Sequence, residues 1–478
     1  MDQLRTPLYD VLKQHRDMKT ISLHVPGHKN GMNFPSEYKE LFGDILQTDV
    51  TELTLLDDLH SPESVILEAE ELLANLYGVE NSFFLINGST VGNLAMIMAT
   101  LEEGDEVIVQ RNCHKSILNG IQLAKADPLF VEPVYDPDWK VAGGVTLETV
   151  KEAIESFPKA KAIILTYPNY YGMVFDLRGI IELAHRFGIP VLVDEAHGAH
   201  FISGGIFPES ATELGADVIV QSAHKTLPAM TMGSFLHFNS QFVSLEKLTR
   251  YLRILQSSSP SYPIMASLDV ARRYLSQITD RDLDDLNQRF LQLKSKLNRI
   301  MGIRVLEGPI QRVDPLKLTI QSTTSVSGFE LQQLFEKEGV FTELADPNNV
   351  LLVLPFLKAN VDFPFNEIVS SISRACSKLP EGQTDKRLEI RKLQPAVSQL
   401  AVGFEEQKSR EKRSVPISEA VGLISGELIT PYPPGIPLLF PGEEITEAAV
   451  VHLVYLLEKG ARFQGGAGLK QGNITVYI

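Results

Sequence analysis

The chain has 478 residues, which is enough for two or three domains. Its formal net charge of −16 argues against general nucleic-acid binding, which usually needs a basic face. Two cysteines, Cys113 and Cys376, are too few for a disulfide framework or a zinc site, so we expect no metal. The chain has no apolar run of membrane-spanning length, and its N-terminus lacks a signal-peptide core. We therefore expect a cytoplasmic protein.

The first fifty residues are predicted to form an arm with one short helix over residues 8–15. A polar, turn-rich segment, HVPGHKNG at residues 24–31, follows this helix. Two glycines and three basic-type side chains there favour a binding loop, and an ordinary surface turn is the equally simple alternative.

From residue 61 onward, predicted helices alternate with short apolar strands. The strands are expected at residues 82–86, 106–110, 128–133, 162–166, 190–193 and 216–220. Helices are expected at 61–77, 116–125, 147–156 and 177–187, with another following the turn at 87–93. Apolar strands without polar alternation predict an α/β fold whose parallel sheet is covered on both faces. Ligands of such sheets bind beyond the carboxyl ends of the strands.

The pattern changes after about residue 276. A long charged helix over residues 282–300 precedes predicted strands at 316–321 and 350–355 and helices at 328–337 and 366–377. Residues 379–385 have the composition of a linker. The predicted regions are therefore an N-terminal arm (1–50), a large domain (51–275), a small α/β domain (276–380) and a C-terminal domain (381–478).

Two predicted strands end in clusters of polar and titratable side chains. One strand ends at Asp194, and the other runs into Ser222-Ala223-His224-Lys225. An enzyme that uses pyridoxal 5′-phosphate (PLP) needs a lysine for the Schiff base and an acid beside the pyridinium nitrogen to keep the ring protonated. A lysine after a strand is usually a surface residue. The cluster of acid, hydroxyl, imidazole and amine favours the PLP site.

Other polar residues near predicted strand ends supply further cofactor ligands. Ser89 and Thr90 open a helix, where backbone N–H groups and hydroxyls can bind a phosphate. The same pattern is also typical of an ordinary helix cap. Ser222 and His224 offer a second set of donors for the same phosphate.

Three further residues are predicted to surround the cofactor ring. His114 follows a strand and is suited to stack on the ring, although a solvated turn is the alternative. His197 lies close to Asp194 in the chain and either touches the ring or orients the acid. Thr166 follows another strand and is suited to bind the 3′-oxygen of the cofactor or the substrate.

Six ordered motifs carry a family resemblance across nearly the whole chain. They are HVPGHK (24–29), DDLH (57–60), RNCHKS (111–116), VDEAHG (193–198), SAHK (222–225) and, in the tail, YPPGIP (432–437) followed by PGE (441–443). Together they closely resemble the Orn/Lys/Arg decarboxylase family of fold-type I PLP enzymes, and its shorter Gram-positive members in particular. The resemblance implies an aspartate aminotransferase-like fold with a mostly parallel seven-stranded sheet. It also implies that 51–275 is the PLP-binding domain and that 381–478 is the family's α+β C-terminal domain.

The resemblance also assigns roles to residues. Lys225 matches the Schiff-base lysine, Asp194 the pyridinium partner, and His114 the stacking histidine. The phosphate ligands matched are Ser89, Thr90, Ser222 and His224, with His197 beside the cofactor. Glu343 aligns more loosely with an acid near the distal amine of the substrate, and a solvated surface glutamate is the alternative. We expect substrate choice to depend on the surroundings of Glu343 and on the C-terminal PGE segment.

The function implied is decarboxylation of arginine, lysine or ornithine in polyamine metabolism, by at least a homodimer. The N-terminal arm and residues 57–60 are expected to contribute to the dimer interface. One alternative is another PLP reaction, by an aminotransferase or lyase, with Arg253, Arg272 or Arg273 holding the substrate carboxylate. Another is a non-catalytic binding protein with the same fold.

Overall fold

The computed structural model describes residues 1–309, 312–380, 395–432 and 435–478. Most of the predicted linker at 379–385 and part of the YPPGIP motif lie outside these residues. Backbone contacts divide the chain into two compact units. Unit 1 comprises Met1–Thr100, Pro190–Gly204 and Glu209–Thr279, and unit 2 comprises Leu101–Ile189, Gly205–Pro208 and Asp280–Ile478. The boundaries of the four predicted regions stay a prediction.

Along the described residues, α-helices alternate with short β-strands. The helices are α1 (Pro7–Asp17), α2 (Lys39–Leu46), α3 (Val65–Tyr77), α4 (Gly88–Thr100), α5 (Lys115–Ala124), α6 (Leu147–Ser156), α7 (Leu177–Arg186), α8 (Ala211–Leu214), α9 (Ala223–Thr226), α10 (Leu245–Leu255), α11 (Tyr262–Ser276), α12 (Asp280–Leu297), α13 (Gly328–Lys337), α14 (Phe365–Cys376), α15 (Phe404–Gln407) and α16 (Glu447–Glu458). The strands are β1 (Asn81–Leu85), β2 (Glu106–Gln110), β3 (Asp127–Val131), β4 (Tyr135–Asp136), β5 (Val141–Ala142), β6 (Ala162–Thr166), β7 (Val191–Asp194), β8 (Val218–Gln221), β9 (Ser234–Phe238), β10 (Ile303–Val305), β11 (Lys317–Ser322), β12 (Leu344–Ala345), β13 (Asn349–Val353), β14 (Val397–Gln399), β15 (Lys412–Pro416), β16 (Ile424–Ser425), β17 (Thr430–Pro431), β18 (Phe463–Gln464) and β19 (Asn473–Tyr477).

Unit 1 is built on four adjacent strands in the order β1-β9-β8-β7. Strands β7 and β8 are parallel, whereas β9 runs antiparallel to both β8 and β1. Every residue of β7, β8 and β9 is buried. Helix α4 packs on β7 and β8, so its first turn belongs to the same part of unit 1 as these strands.

Among its described residues, unit 2 holds four strands in the order β6-β2-β3-β14 and four smaller sheets. Strand β2 is parallel to β3 and β6, and β14 is antiparallel to β3. A separate antiparallel sheet, β10-β11-β13-β12, packs against α13, and the strands β15-β19-β16 form another sheet.

The strands found agree with the predicted α/β class, with one addition. Eight strands form the rows β1-β9-β8-β7 and β6-β2-β3-β14. Five of them, β2, β3, β6, β7 and β8, have a parallel neighbour, as a mostly parallel sheet requires. The family resemblance implies seven strands, and β14 is the additional one. It lies within residues 381–478, which were expected to form a separate α+β domain rather than to add a strand beside β3.

Helix α3 begins later than predicted. It was expected to start at residue 61, but it starts at Val65, because a carboxylate from outside the helix caps its first turn. Asp57 accepts hydrogen bonds from the backbone N–H groups of Glu63, Ser64 and Ile66, at 2.9–3.0 Å. These bonds lower the pKa of Asp57 despite its partial burial. The predicted end of the helix at Gly78 is confirmed, with φ at +66°.

Candidate active site

Two serines that are distant in sequence meet at the N-terminus of α4. Gly88 adopts a φ of +77°, which allows the sharp turn from β1 into the helix. The hydroxyl of Ser222, beyond β8, donates to the hydroxyl of Ser89 at 2.9 Å. Thr90, next along the helix, is exposed. Hydroxyls beside a helix N-terminus are the donor set that a phosphate requires.

Asp194 is buried at the end of β7, where two donors hold its carboxylate. One oxygen accepts from the side-chain amide of Asn93 at 3.0 Å, and the other accepts from the backbone N–H of Ala196 at 3.1 Å. Only 3 % of Asp194 is exposed, so little water competes with these bonds. Asn93 was not predicted, yet it follows Ser89 by one helical turn and therefore lies on the same face of α4.

Lys225 lies against a histidine of the same unit. Its amine is 3.0 Å from Nε2 of His197, which is buried. An ammonium group can only donate, so His197 Nε2 accepts from Lys225 whenever the lysine is charged. His224 points its Nδ1 at the backbone carbonyl of Gly233, at 2.9 Å. Unit 1 therefore brings together three pairs, Ser89 with Ser222, Asn93 with Asp194, and His197 with Lys225.

Three predicted site residues lie in unit 2. His114 is the N-cap of α5, and its Nδ1 accepts from the backbone N–H of Ser116. The hydroxyl of Thr166 is buried at the end of β6 without a partner among the described residues. Glu343 is exposed, and its backbone N–H donates to Leu351. The roles predicted for these three residues stay predictions.

Arg272, one of the three arginines named for the aminotransferase alternative, is engaged elsewhere. It is fully buried, pairs with Asp269 at 2.8 Å and donates to the backbone carbonyls of Gln3 and Arg5. Its guanidinium therefore fixes the start of the chain to α11. Such a saturated side chain is not available to hold a substrate carboxylate.

Glu443 of the PGE segment forms a buried ion pair within unit 2. Both of its carboxylate oxygens accept from Arg111, each at 2.9 Å. Arg111 also donates to the carbonyls of Pro437 and Leu438 and lies 4.1 Å from the ring centre of Phe440. Both oxygens of the Glu443 carboxylate are therefore bound to Arg111. The ion pair accounts for the burial of Glu443 without a contact to the substrate.

Comparison with known families identifies the class of protein. The model of the Orn/Lys/Arg decarboxylase major domain matches residues 6–310, and that of the C-terminal domain matches residues 385–468. The chain belongs to the Orn/Lys/Arg decarboxylase family, which confirms the resemblance seen in its motifs. Among the residues that the structure describes, we find no helix long and apolar enough to cross a membrane.

Individual relatives refine this placement. The chain is 48% identical to the uncharacterized protein YaaO of Bacillus subtilis, over 99% of both chains. It is 34% identical to the arginine decarboxylase of the same organism, over 97% of this chain and 96% of the relative. The structure of the constitutive lysine decarboxylase of Escherichia coli superposes with a TM-score of 0.78 at 19% identity, covering 100% of this chain and 82% of that one. This likeness concerns the fold alone, and it confirms the predicted fold class.

Proposed function

We propose that this protein uses PLP to decarboxylate a basic amino acid, namely arginine, lysine or ornithine, to the corresponding amine and carbon dioxide. The observation that carries the proposal is the arrangement in unit 1 of Lys225, buried Asp194 and the Ser89–Ser222 pair around the ends of β7 and β8 and the start of α4. Membership of the Orn/Lys/Arg decarboxylase family supports the same reaction. The amine product would place the reaction in polyamine metabolism, and we propose the cytoplasm as its location.

The residues of unit 1 fit the chemistry of PLP group by group. Ser89 and Ser222, with the first backbone N–H groups of α4, are donors for the phosphate. Asp194 is an acceptor for the pyridine N–H, and Lys225 is the amine for the aldehyde carbon. The buried carboxylate of Asp194 is already bonded to Asn93 and Ala196, so its orientation is fixed before any ligand arrives.

Bound PLP would supply an electron sink for the pair left on Cα when carbon dioxide departs. Asp194 favours the protonated pyridine nitrogen, because a buried anion beside an N–H strengthens that bond. Lys225 would be the group able to give a proton to Cα. His197, 3.0 Å from the Lys225 amine, limits where that amine can move.

The assignments in unit 2 complete the proposal. We assign His114 to the face of the cofactor ring and Thr166 to its 3′-oxygen. Thr166 supports this role because its buried hydroxyl lacks a partner among the described residues, and a ligand oxygen would satisfy it. Glu343 is proposed near the distal charged group of the substrate, and its exposure leaves the carboxylate accessible.

Arginine is the substrate to test first, since the 34% identical relative is named an arginine decarboxylase. Purified protein supplied with PLP would be incubated with carboxyl-labelled arginine, lysine and ornithine, and labelled carbon dioxide would be counted. Lys225→Ala should abolish release, whereas Lys247→Ala, a change of an exposed lysine on α10, should not. A keto acid formed without carbon dioxide would support an aminotransferase. Absence of a borohydride-sensitive absorbance band would support a binding protein.

We also propose that the protein is at least a homodimer, with the N-terminal arm at the interface. The arm presents large apolar side chains to solvent, which a monomer would rarely leave uncovered. They are Ile21 (86 % exposed), Leu23 (90 %), Met32 (80 %) and Leu41 (81 %). Light scattering on Leu23→Glu/Leu41→Glu should show dissociation, with Leu123→Glu as the control. A fully active wild-type monomer would contradict the proposal.

A further inference from the structure

The loop that follows β7 comprises residues 195–199 and begins directly after Asp194. It contains the histidine that touches Lys225. His197 lies at its centre and approaches the Lys225 amine at 3.0 Å. A loop normally allows some movement of its side chains. Here buried polar contacts from other strands and from α3 hold both ends of the loop.

The first end is held by the side chain of Glu195, which is fully buried. Its carboxyl group accepts from the Ser210 hydroxyl at 3.0 Å, the Ala211 backbone N–H at 2.8 Å and the Gln221 amide at 2.6 Å. Burial raises the pKa of Glu195 to about 8, and these three bonds oppose the rise. The contacts join the loop to α8 and to the last residue of β8.

Gln221 in turn belongs to a chain of hydrogen bonds that crosses the strands of unit 1. Its carbonyl oxygen can only accept, so His237 Nε2 donates to it at 3.1 Å. The Nδ1 of His237 then accepts from the Ser82 hydroxyl at 2.8 Å. The hydrogen bonds therefore run in one direction, from Ser82 on β1 through His237 on β9 and Gln221 on β8 to Glu195. Burial lowers the pKa of His237 to about 3, so the ring is neutral and keeps the one donor and one acceptor that the chain requires.

The second end of the loop is held through the same histidine. The His237 ring stacks on the Tyr77 ring, with centroids 4.1 Å apart and planes inclined by 30°. The Tyr77 hydroxyl donates to the backbone carbonyl of Ala199 at 2.6 Å. His237 therefore supports Glu195 through Gln221, and Ala199 through Tyr77.

We propose that His237 is a positioning residue that fixes residues 195–199 and thereby holds His197 against Lys225. It acts through other residues, since it is fully buried and its ring nitrogens bond to Ser82 and Gln221. The inference rests on the proposed function for the role of Lys225. The geometry of the loop itself does not depend on a bound cofactor.

A purely structural role makes a different prediction. If His237 only completes a buried hydrogen-bond network, its removal lowers stability and leaves His197 where it is. If His237 positions the loop, its removal also changes the environment of the His197 ring. A useful variant therefore removes the hydrogen bonds and keeps the ring that stacks on Tyr77, which His237→Phe does. His237→Gln is the conservative variant, because an amide can still accept from Ser82 and donate to Gln221.

The decisive measurement uses cofactor-free protein with nitrogen-15 in its histidines. We expect His237→Phe to shift the ring signals of His197 and its titration, and to weaken PLP binding roughly five- to tenfold, as loss of one or two buried hydrogen bonds implies. His237→Gln should restore both. The matched control is Ile219→Met, which alters the buried residue paired with His237 in the sheet and leaves the polar chain intact.

Each result decides the question. The inference is overturned if the His237→Phe variant loses stability, as the control does, while its His197 signals and its PLP affinity stay unchanged. If that variant does not fold, Ser82→Ala removes the end of the chain and is judged by the same signals. Wild-type protein that binds no PLP would refute the proposed function, whereas the His197 signals would still test the positioning role.

Discussion

The side-chain amide of Asn93 donates to the carboxylate of Asp194 at 3.0 Å and links α4 to the end of β7. Ser89, one turn earlier on α4, accepts from Ser222 beyond β8. A single helical face thus bonds to residues at the ends of two neighbouring strands. The proposed phosphate donors and the proposed pyridine partner are held by one rigid element, so these side chains would lose little conformational freedom when a cofactor binds.

Asn93→Ala should weaken PLP binding about tenfold, because one oxygen of buried Asp194 then lacks its donor, and a buried unsatisfied group costs ~1–3 kcal/mol. Fluorescence titration with PLP would measure the affinity. Asn75→Ala, on the exposed side of α3, should leave it within about twofold, since surface substitutions change stability by less than ~0.5 kcal/mol. Equal affinities for the two variants would contradict the assigned role of Asn93.

Because the Glu70 carboxyl group is buried, we expect the protein to lose stability at alkaline pH. Glu70 is buried in α3, accepts from the backbone N–H of Phe84 at 2.9 Å, and has its pKa raised to about 8 by burial. A raised carboxyl pKa means that the folded state binds the proton more tightly. The stability contribution is complete below the unfolded pKa of about 4.5 and is lost as pH rises through about 8.

Glu70→Gln should therefore reduce the decline in unfolding free energy between pH 7 and 9 by ~1 kcal/mol or more. Glu195, whose pKa is also raised to about 8, should account for part of the remaining decline. Urea unfolding at each pH would measure the unfolding free energy, and Glu71→Gln, a change of an exposed residue, is the control. Parallel pH curves for the wild type and both variants would rule out this titration.

Arg272→Met should release the N-terminus of the chain. Buried Asp269 would lose its partner, and breaking a buried ion pair typically costs ~3–5 kcal/mol. The hydrogen bonds from Arg272 to Gln3 and Arg5 would go with it. We expect a lower melting temperature and faster proteolysis within the first eight residues, and neither effect for Arg250→Met, which changes an exposed residue of α10. Unchanged cleavage at the N-terminus would show that other contacts retain the arm.

Sequence patterns predicted the strand ends of this site better than the contacts that support it. Strands β2, β6 and β7 are short apolar runs, and the residues beyond them stand out because they are polar. Asn93 gives no such signal, since it is one amide in a helix of Ala, Met and Leu. His237 lies in β9, which was not predicted, and its partners Ser82 and Gln221 lie 155 and 16 residues away.

The same limit applies to element boundaries and distant pairs. The start of α3 was misplaced because its cap comes from Asp57, which lies outside the local helix pattern. The Arg111–Glu443 pair joins residues 332 positions apart, and nothing near either residue indicates the other. Local propensity and hydrophobic periodicity report on neighbours in sequence, whereas these contacts arise only when the chain folds.

The Arg111–Glu443 pair provides a test of how the C-terminal PGE segment is held within unit 2. Both side chains are buried, so Arg111→Met alone or Glu443→Leu alone leaves a charge without a partner and should cost ~3–5 kcal/mol. The double variant removes both charges and should cost much less than the sum of the two single losses.

Denaturant unfolding of the wild type and the three variants gives the coupling energy between Arg111 and Glu443. The exposed pair Lys125–Glu103, with a similar separation of 2.8 Å, is the control and should show a much smaller coupling energy, because water and salt screen exposed charges. Additive losses at Arg111 and Glu443 would mean that the backbone and ring contacts of Arg111, rather than the ion pair, hold the segment.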